Sequence, residues 1–339
     1  MSERHGTTLA RLLERAVGPQ RTRALFEAVA VPEGPLTGEG ESVPRVVLAM
    51  AMNLMLFEDI LRRVPDARLY VADQVQNGRK VVYDHGALRT VALAASPLPG
   101  GHLAFSRILE PLGYHMNGLY PLDRLAMTGR AYAHEDLPEA IPQFFVSELH
   151  PERFSAVFQQ AVERVLSTSR DPLPQWAFPL LDELASVKEL PFAQAEKLLP
   201  VLVGAFDRHH APIQLSDYKM LLAESAEMAW IATEGNAFNH ATDRVADVVT
   251  VAEAQKALGR PMKDEVEVST SGRVIQTAYR AAQVQREFVD GSGALVQRTV
   301  PGSFFEFITR KSEEGGGLDL RFDAGNAQAI FKMTATEWC

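Results

Sequence analysis

The pattern aromatic, Asp or Asn, His, three residues, Arg occurs twice in this chain: Tyr83-Asp84-His85 with Arg89, and Phe238-Asn239-His240 with Arg244. After each copy the chain reaches Leu-Gly-x-x-Met, first Leu112-Gly113 with Met116 and then Leu258-Gly259 with Met262. A Phe-Phe doublet follows in both, within Gln143-Phe144-Phe145-Val146 and within Ser303-Phe304-Phe305-Glu306. Three matches in the same order imply an internal duplication, which constrains a fold more tightly than any local propensity. Laid side by side, the doublets place Glu306 of the second copy opposite Val146 of the first.

Each copy carries the outline β-α-β-β-β. In the first, Val81, Tyr83 and His85 alternate with Val82 and Asp84 as in a strand, a helix spans Leu103 to Leu112, and strand-like segments follow around Leu119 to Ala133 and Gln143 to Leu149. The second has a strand at Ala237 to Asp243, a helix from Val251 to Leu258, and strands around Glu265 to Ser269, Val274 to Arg286 and Phe304 to Thr309. Outside the copies the spacing is helical. Leu9, Leu12, Leu13, Ala16 and Val17 share one face, the apolar run Val46 to Phe57 is a buried helix, and Phe154, Val157, Phe158, Ala161 and Val165 open a helical stretch extended by Leu180, Leu181 and Leu184. The expected division is an N-terminal helical region (1–75), a first module (76–150), a helical insertion (151–235), and a second module with a loop-rich tail (236–339). The fold class is α+β.

Composition bounds the partners. A net charge of -9 without clustered Lys and Arg argues against a nucleic-acid surface. The apolar run Val46 to Phe57 is too short to span a bilayer, and Met1-Ser2-Glu3-Arg4-His5 lacks the apolar core of a signal peptide. With Cys339 the only cysteine there is no disulfide framework, and cytoplasmic localisation is expected.

Period-two alternation places Val81 and Tyr83 on the face of His85, and Phe238 and Thr242 on the face of His240, so both imidazoles are expected to point inward. Phe304 and Ile308 flank Glu306 on its face of the last strand. A carboxylate among apolar neighbours is costly unless a cation sits beside it. Two His and one Glu make an open metal site of the two-His-one-carboxylate type, and the absence of Cys favours Fe(II), Mn(II) or Zn(II). Arg89, four residues beyond His85 and after a Gly, can turn its planar fork toward the same cavity to hold a substrate carboxylate. Arg244 is expected to cap its strand or pair at the surface. His102, His115, His134, His150 and the adjacent His209-His210 lack a matching second ligand and are expected to be surface or structural residues.

The segments Tyr83-Asp84-His85-Gly86-Ala87-Leu88-Arg89, Gly235-Asn236-Ala237-Phe238-Asn239-His240-Ala241-Thr242 and Ser303-Phe304-Phe305-Glu306-Phe307 resemble those of the 2-oxoadipate dioxygenase/decarboxylase (hydroxyglutarate synthase) family. Thr128-Gly129-Arg130 and Phe144-Phe145-Val146-Ser147-Glu148-Leu149-His150 extend the likeness, which runs from about residue 45 to 335. The resemblance implies a glyoxalase-like vicinal-oxygen-chelate fold of paired β-α-β-β-β modules, with His85, His240 and Glu306 on Fe(II). It also implies a substrate-binding set of Arg89, His85 and His240, with Arg89 in the catalytic role. The reaction it implies converts 2-oxoadipate and O2 to (R)-2-hydroxyglutarate and CO2, a step of bacterial lysine breakdown. The chain is shorter than characterised members, whose additional C-terminal sequence contributes to the substrate pocket.

Two other functions fit a fold of this kind, because fold does not decide chemistry. A glyoxalase-like lyase or isomerase would use Zn(II) or Ni(II) to polarise an enediolate and commonly employs a fourth protein ligand, for which the first copy offers only Val146. A non-catalytic small-molecule-binding module would have no need of the His/His/Glu set.

Overall fold

In the computed structural model, residues 6–94, 98–312 and 316–325 are described. Twelve strands form among them: β1 (Ser42–Pro44), β2 (Tyr83–Val91), β3 (Tyr114–Leu122), β4 (Met127–His134), β5 (Gln143–Leu149), β6 (Glu189–Pro191), β7 (Phe238–Arg244), β8 (Glu267–Val268), β9 (Val274–Ala278), β10 (Gln283–Val289), β11 (Leu295–Pro301) and β12 (Phe304–Arg310). Eight of these make one sheet in the order β3-β4-β5-β2-β7-β12-β9-β8.

That order is the duplication in three dimensions. Read outward from its centre, one half runs β2, β5, β4, β3 and the other β7, β12, β9, β8. In each half the first strand pairs in parallel with the last, β2 with β5 and β7 with β12, while β2 and β7 join the halves as antiparallel neighbours. The paired β-α-β-β-β modules of a glyoxalase-like fold are therefore present. The helix of the first module runs Leu103–Leu109 and that of the second Val248–Ala257, within a few residues of the expected spans. The stretch expected as one strand from Val274 to Arg286 divides into β9 and β10, because β10 leaves the sheet to form a separate hairpin with β11.

The two faces of the sheet are covered differently. On one face the helices Thr8–Val17, Arg45–Arg63, Ala177–Val187 and Phe192–Gly204 bury Leu88, Phe144, Val146, Phe238, Phe305 and Phe307 of the sheet. On the other, Ala156–Leu166, Leu215–Glu224 and Ala226–Glu234 pack near Ala87, Phe145, Leu149 and Phe304. The stretch read as one inserted helical layer is thus split between both faces. Its first-face helices are tied to the N-terminal region by the β1–β6 pair, Val43 opposite Leu190. No helix among the described residues is long and apolar enough to cross a membrane.

Candidate metal centre and substrate cavity

Each aromatic-Asp/Asn-His motif proves to be a β-bulge. Along the β2–β7 ladder, Tyr83 pairs with Asp243 and His85 with Thr242, so Asp84 is the extra residue; further on, Ala87 pairs with His240 and Leu88 with Phe238, so Asn239 is extra on the other strand. A bulge inserts one residue and re-aims the side chains around it. The expectation that Tyr83 and Phe238 share a face with the histidines is corrected by this: both aromatics join the helix-covered core, Tyr83 against Phe57 at 5.1 Å and Phe238 against Phe144 at 5.7 Å between ring centroids. His85 and His240 turn the other way. Gly86 makes the crossing possible, since a Cβ there would lie 2.3 Å from the Phe238 ring.

The parallel ladders fix what faces the histidines. His240 lies opposite Phe304, so Glu306, two residues on, falls beside Thr242; His85 lies opposite Gln143, so the equivalent place beside Ala87 belongs to Phe145. The sequence alignment of the doublets was one residue out of register, and a one-residue slip exchanges the faces of a strand. Val146 lies in the helix-covered core, not opposite Glu306. The residue that does stand there, Phe145, also carries no ligand atom.

One ligand atom from each of His85, His240 and Glu306 lies within 4.8 Å of the others, and all three residues are buried. Both imidazole Nε2 atoms are 3.3 Å from Glu306 Oε2. Thr242 donates its hydroxyl to that same oxygen at 2.6 Å and lies 3.1 Å from His85 Nε2. Asp84 Oδ1 sits 2.8 Å from His85 Nδ1. Because a carboxylate only accepts, that contact places a proton on Nδ1, leaving the lone pair of a neutral His85 on Nε2, aimed at the Glu306 oxygen. Two acceptors facing one another need a proton or a cation between them. The donor set therefore fits a divalent metal.

The electrostatics follow from burial and partners. Burial alone would raise Glu306, but His240 and His85 outweigh it and hold its carboxyl well below the usual range. Burial would likewise lower His85, but Asp84 and Glu306 prevail and its pKa is raised; for His240 burial prevails and its pKa is lowered. Asp84, where burial is outweighed by Arg310 and His85, stays ionised.

Sequence reasoning missed Arg310. Its Nε lies 3.0 Å from both Asp84 oxygens and its Nη2 2.9 Å from Oδ1, while Nη1 donates to the carbonyls of Asp319 at 3.0 Å and Arg321 at 2.8 Å. The same guanidinium lies 5.0 Å from the Phe322 ring, and that ring packs edge-on against His85 at 4.8 Å. The tail, whose role the sequence left open, thus closes over the histidine, with the backbone N–H of Phe322 donating to Tyr120 Oη at 3.0 Å. Arg244, expected to serve its strand end or the surface, reaches Asp84 at 3.6 Å. The part of the tail from residue 326 onward lies outside the described residues.

A cavity opens on the trio, bounded by Ala87, Phe145, Ser147, Gln276, Phe322 and Asp323 together with His85, His240 and Glu306. A second cavity, bounded in part by Thr90, Ser169, His209 and Asn236, contains none of the three. Arg89 is not in the wall of the first. It lies one pleat beyond Ala87 on the same face of β2, opposite Ser147, fully buried with its guanidinium 4.9 Å from the Trp230 ring. Burial lowers its pKa to about 10, against the opposing pull of Glu227, so it remains a cation at neutral pH. Among the described residues the other histidines stand apart from the trio: His102 pairs with Glu148, His150 with Thr128, His210 with backbone carbonyls, and His134 is buried in the core.

The family model for 2-oxoadipate dioxygenase/decarboxylase matches residues 41–317. The chain belongs to that family. Among solved structures, a glyoxalase-superfamily protein of Ralstonia eutropha JMP134 is 54% identical, covering 94% of this chain and 99% of that one with a TM-score of 0.88. The hydroxyglutarate synthase of Oryza sativa, solved in complex with 2-oxoadipate, shares the fold at 19% identity, covering 91% of this chain and 98% of that one, TM-score 0.65. The hydroxyglutarate synthase of Pseudomonas putida does so at 17% identity, TM-score 0.56, with 87% of this chain and 75% of that one covered. The match thus spans three quarters of the Pseudomonas chain and nearly all of the rice one. No curated protein matches the chain.

Proposed function

We propose that this family member is an Fe(II)-dependent dioxygenase/decarboxylase that converts 2-oxoadipate and O2 to (R)-2-hydroxyglutarate and CO2. The observation that carries the reading is the convergence of His85, His240 and Glu306 within 4.8 Å, on strands whose register leaves the fourth, symmetric place to Phe145. The binding of 2-oxoadipate by hydroxyglutarate synthases of rice and Pseudomonas putida supports the choice of substrate.

His85, His240 and Glu306 would hold the metal. When bound, Fe(II) supplies open positions for the oxo-acid group and for dioxygen, and the one-electron steps that dioxygen chemistry requires. In the overall change the bond between C1 and C2 of the oxo acid breaks and C1 leaves as CO2. One oxygen atom enters C2, which becomes the new carboxylate, and the other becomes the hydroxyl on C3. The substrate supplies all four electrons, so no second reductant is required.

The chain's own residues position the reactants. Asp84 fixes the tautomer and ring plane of His85, and Arg310 holds Asp84 in turn; such outer partners orient metal ligands. Thr242 fixes the Glu306 carboxylate. Arg89 would take the distal carboxylate of the diacid, orienting the carbon chain across the small side chain of Ala87. Phe145 and Phe322 exclude water from the reacting end. The test is anaerobic reconstitution with Fe(II), Mn(II) or Zn(II), followed by oxygen uptake and product analysis with a panel of 2-oxo diacids. Turnover with Fe(II) and 2-oxoadipate is expected. Isomerised product without oxygen uptake under Zn(II) would favour the lyase reading instead.

A further inference from the structure

The helix Ala226–Glu234 is buried from Glu227 to its end and presents Glu227 and Trp230, one turn apart, toward Arg89. Trp230 is 3% exposed and its ring lies 4.9 Å from the Arg89 guanidinium, within the range where an indole face attracts a cation. Its Nε1 donates to the Gly302 carbonyl at 2.9 Å, two residues before β12 begins. At the backbone, Asn236 Nδ2 donates to the carbonyl of Arg89 at 2.9 Å. The guanidinium is therefore referenced, through one indole, to the same strand that carries Glu306. Between the two ends of the site, His85 and Arg89 are four residues apart on β2, where the ladder with β5 runs without a break, a span of ~13 Å between Cα atoms.

We infer that Trp230 is a positioning residue: by stacking on Arg89 and bonding to Gly302 it fixes the guanidinium relative to β12, and so sets the separation between the two carboxylates of the oxo acids this site accepts. The inference rests on the reading of Arg89 as the carboxylate grip. A substrate lacking the distal carboxylate does not use Arg89 and is indifferent to Trp230. One whose carboxylate falls a methylene short depends on the guanidinium moving, which Trp230 prevents.

The test compares binding of 2-oxoadipate and of 2-oxohexanoate, which lacks the distal carboxylate, by anaerobic calorimetry on Fe(II)-loaded wild type, Trp230→Phe and Trp230→Leu. Steady-state kinetics accompany the titrations. Trp230→Phe keeps an aromatic face, though a smaller and weaker one, and loses the Gly302 bond, so 2-oxoadipate affinity and KM should change by about 3-fold; loss of the ring in Trp230→Leu should weaken 2-oxoadipate on the order of 10-fold or more. Metal stoichiometry and 2-oxohexanoate affinity should be unchanged in both. In an Arg89→Met background, Trp230→Leu should add no further loss. Equal weakening of both acids, or full additivity with Arg89→Met, would show a merely structural tryptophan and overturn the inference. If wild type binds 2-oxoadipate and Trp230→Leu binds it as well, the inference fails while the proposed reaction stands. If wild type distinguishes the two acids not at all, Arg89 is no carboxylate grip, and the inference about Trp230 falls with that reading of Arg89.

Discussion

Asp84 and His85 are neighbours in sequence, yet a β-bulge lets the carboxylate of one accept from the Nδ1–H of the other at 2.8 Å. The pseudo-equivalent pair, Asn239 and His240, forms the same bulge without that bond, and Asn239 Oδ1 and His240 Nδ1 are both buried without a hydrogen-bond partner. The two halves of the site are therefore alike in backbone and unlike in how firmly they hold their imidazoles. Asp84→Asn should weaken Fe(II) or Mn(II) binding by about 10- to 100-fold, the usual effect of removing a ligand's outer partner. Competition with a chelator of known affinity measures this. Unchanged affinity would mean that His85 needs no such orientation.

Phe145 faces the cavity at the place symmetric to Glu306, whereas its neighbour Val146 faces the opposite core. Phe145→Glu should offer a fourth ligand, retaining or tightening metal binding while abolishing oxygen uptake. Val146→Glu should leave a carboxylate unpaired in an apolar layer and destabilise the fold by about 3 to 5 kcal/mol. Metal titration and chemical denaturation separate the two. The reverse pattern would restore the alignment that the strand register rejects.

Arg89→Lys keeps a charge but loses the planar fork. KM for 2-oxoadipate should rise and kcat fall, together by on the order of 10²-fold, because misplacement of about 1 Å suffices for that. Metal binding should survive. Kinetics like those of the wild type in both Arg89→Lys and Arg89→Ala would remove Arg89 from the site.

His134 is 0% exposed, and burial lowers its pKa from 6.5 to about 4. The folded protein keeps this imidazole neutral while the unfolded chain takes up a proton below about 6.5, so its contribution is fully present above that pH and is lost as the pH falls toward 4. Between pH 7 and pH 5 the loss is about 2 kcal/mol. Asp243, raised to about 6 mainly by burial, works in the opposite sense from about 4 to 6, so the comparison must be with a variant. His134→Gln should remove the His134 share of the pH dependence, as read from denaturation midpoints. An identical slope in wild type and variant would contradict the assignment.

Much of this site was legible because the duplication writes its chemistry twice. His85, His240 and Glu306 could be singled out from residue type, repetition and apolar flanks, and the structure brings them together. What strand periodicity could not supply was the bulge: it assumes an unbroken alternation, and an extra residue at Asp84 and at Asn239 reverses the faces of Tyr83 and Phe238. The Val146 alignment erred for a related reason, since only hydrogen-bond register decides which of two adjacent residues faces the metal. Arg310, Phe322 and Trp230 were out of reach. Each acts through a contact distant in sequence, Arg310 with Asp84, Phe322 with His85 and Trp230 with Arg89, and none belongs to the short motifs that recur in the two copies.

Isotopic labelling tests the central claim most directly. Fe(II)-loaded protein given 2-oxoadipate under ¹⁸O2 should consume one O2 for each CO2 released, and the 2-hydroxyglutarate formed should carry one labelled atom in its new carboxylate and one in its hydroxyl. Absence of oxygen uptake with 2-oxoadipate and every related 2-oxo diacid, or a product whose new oxygen atoms come from water, would contradict the account.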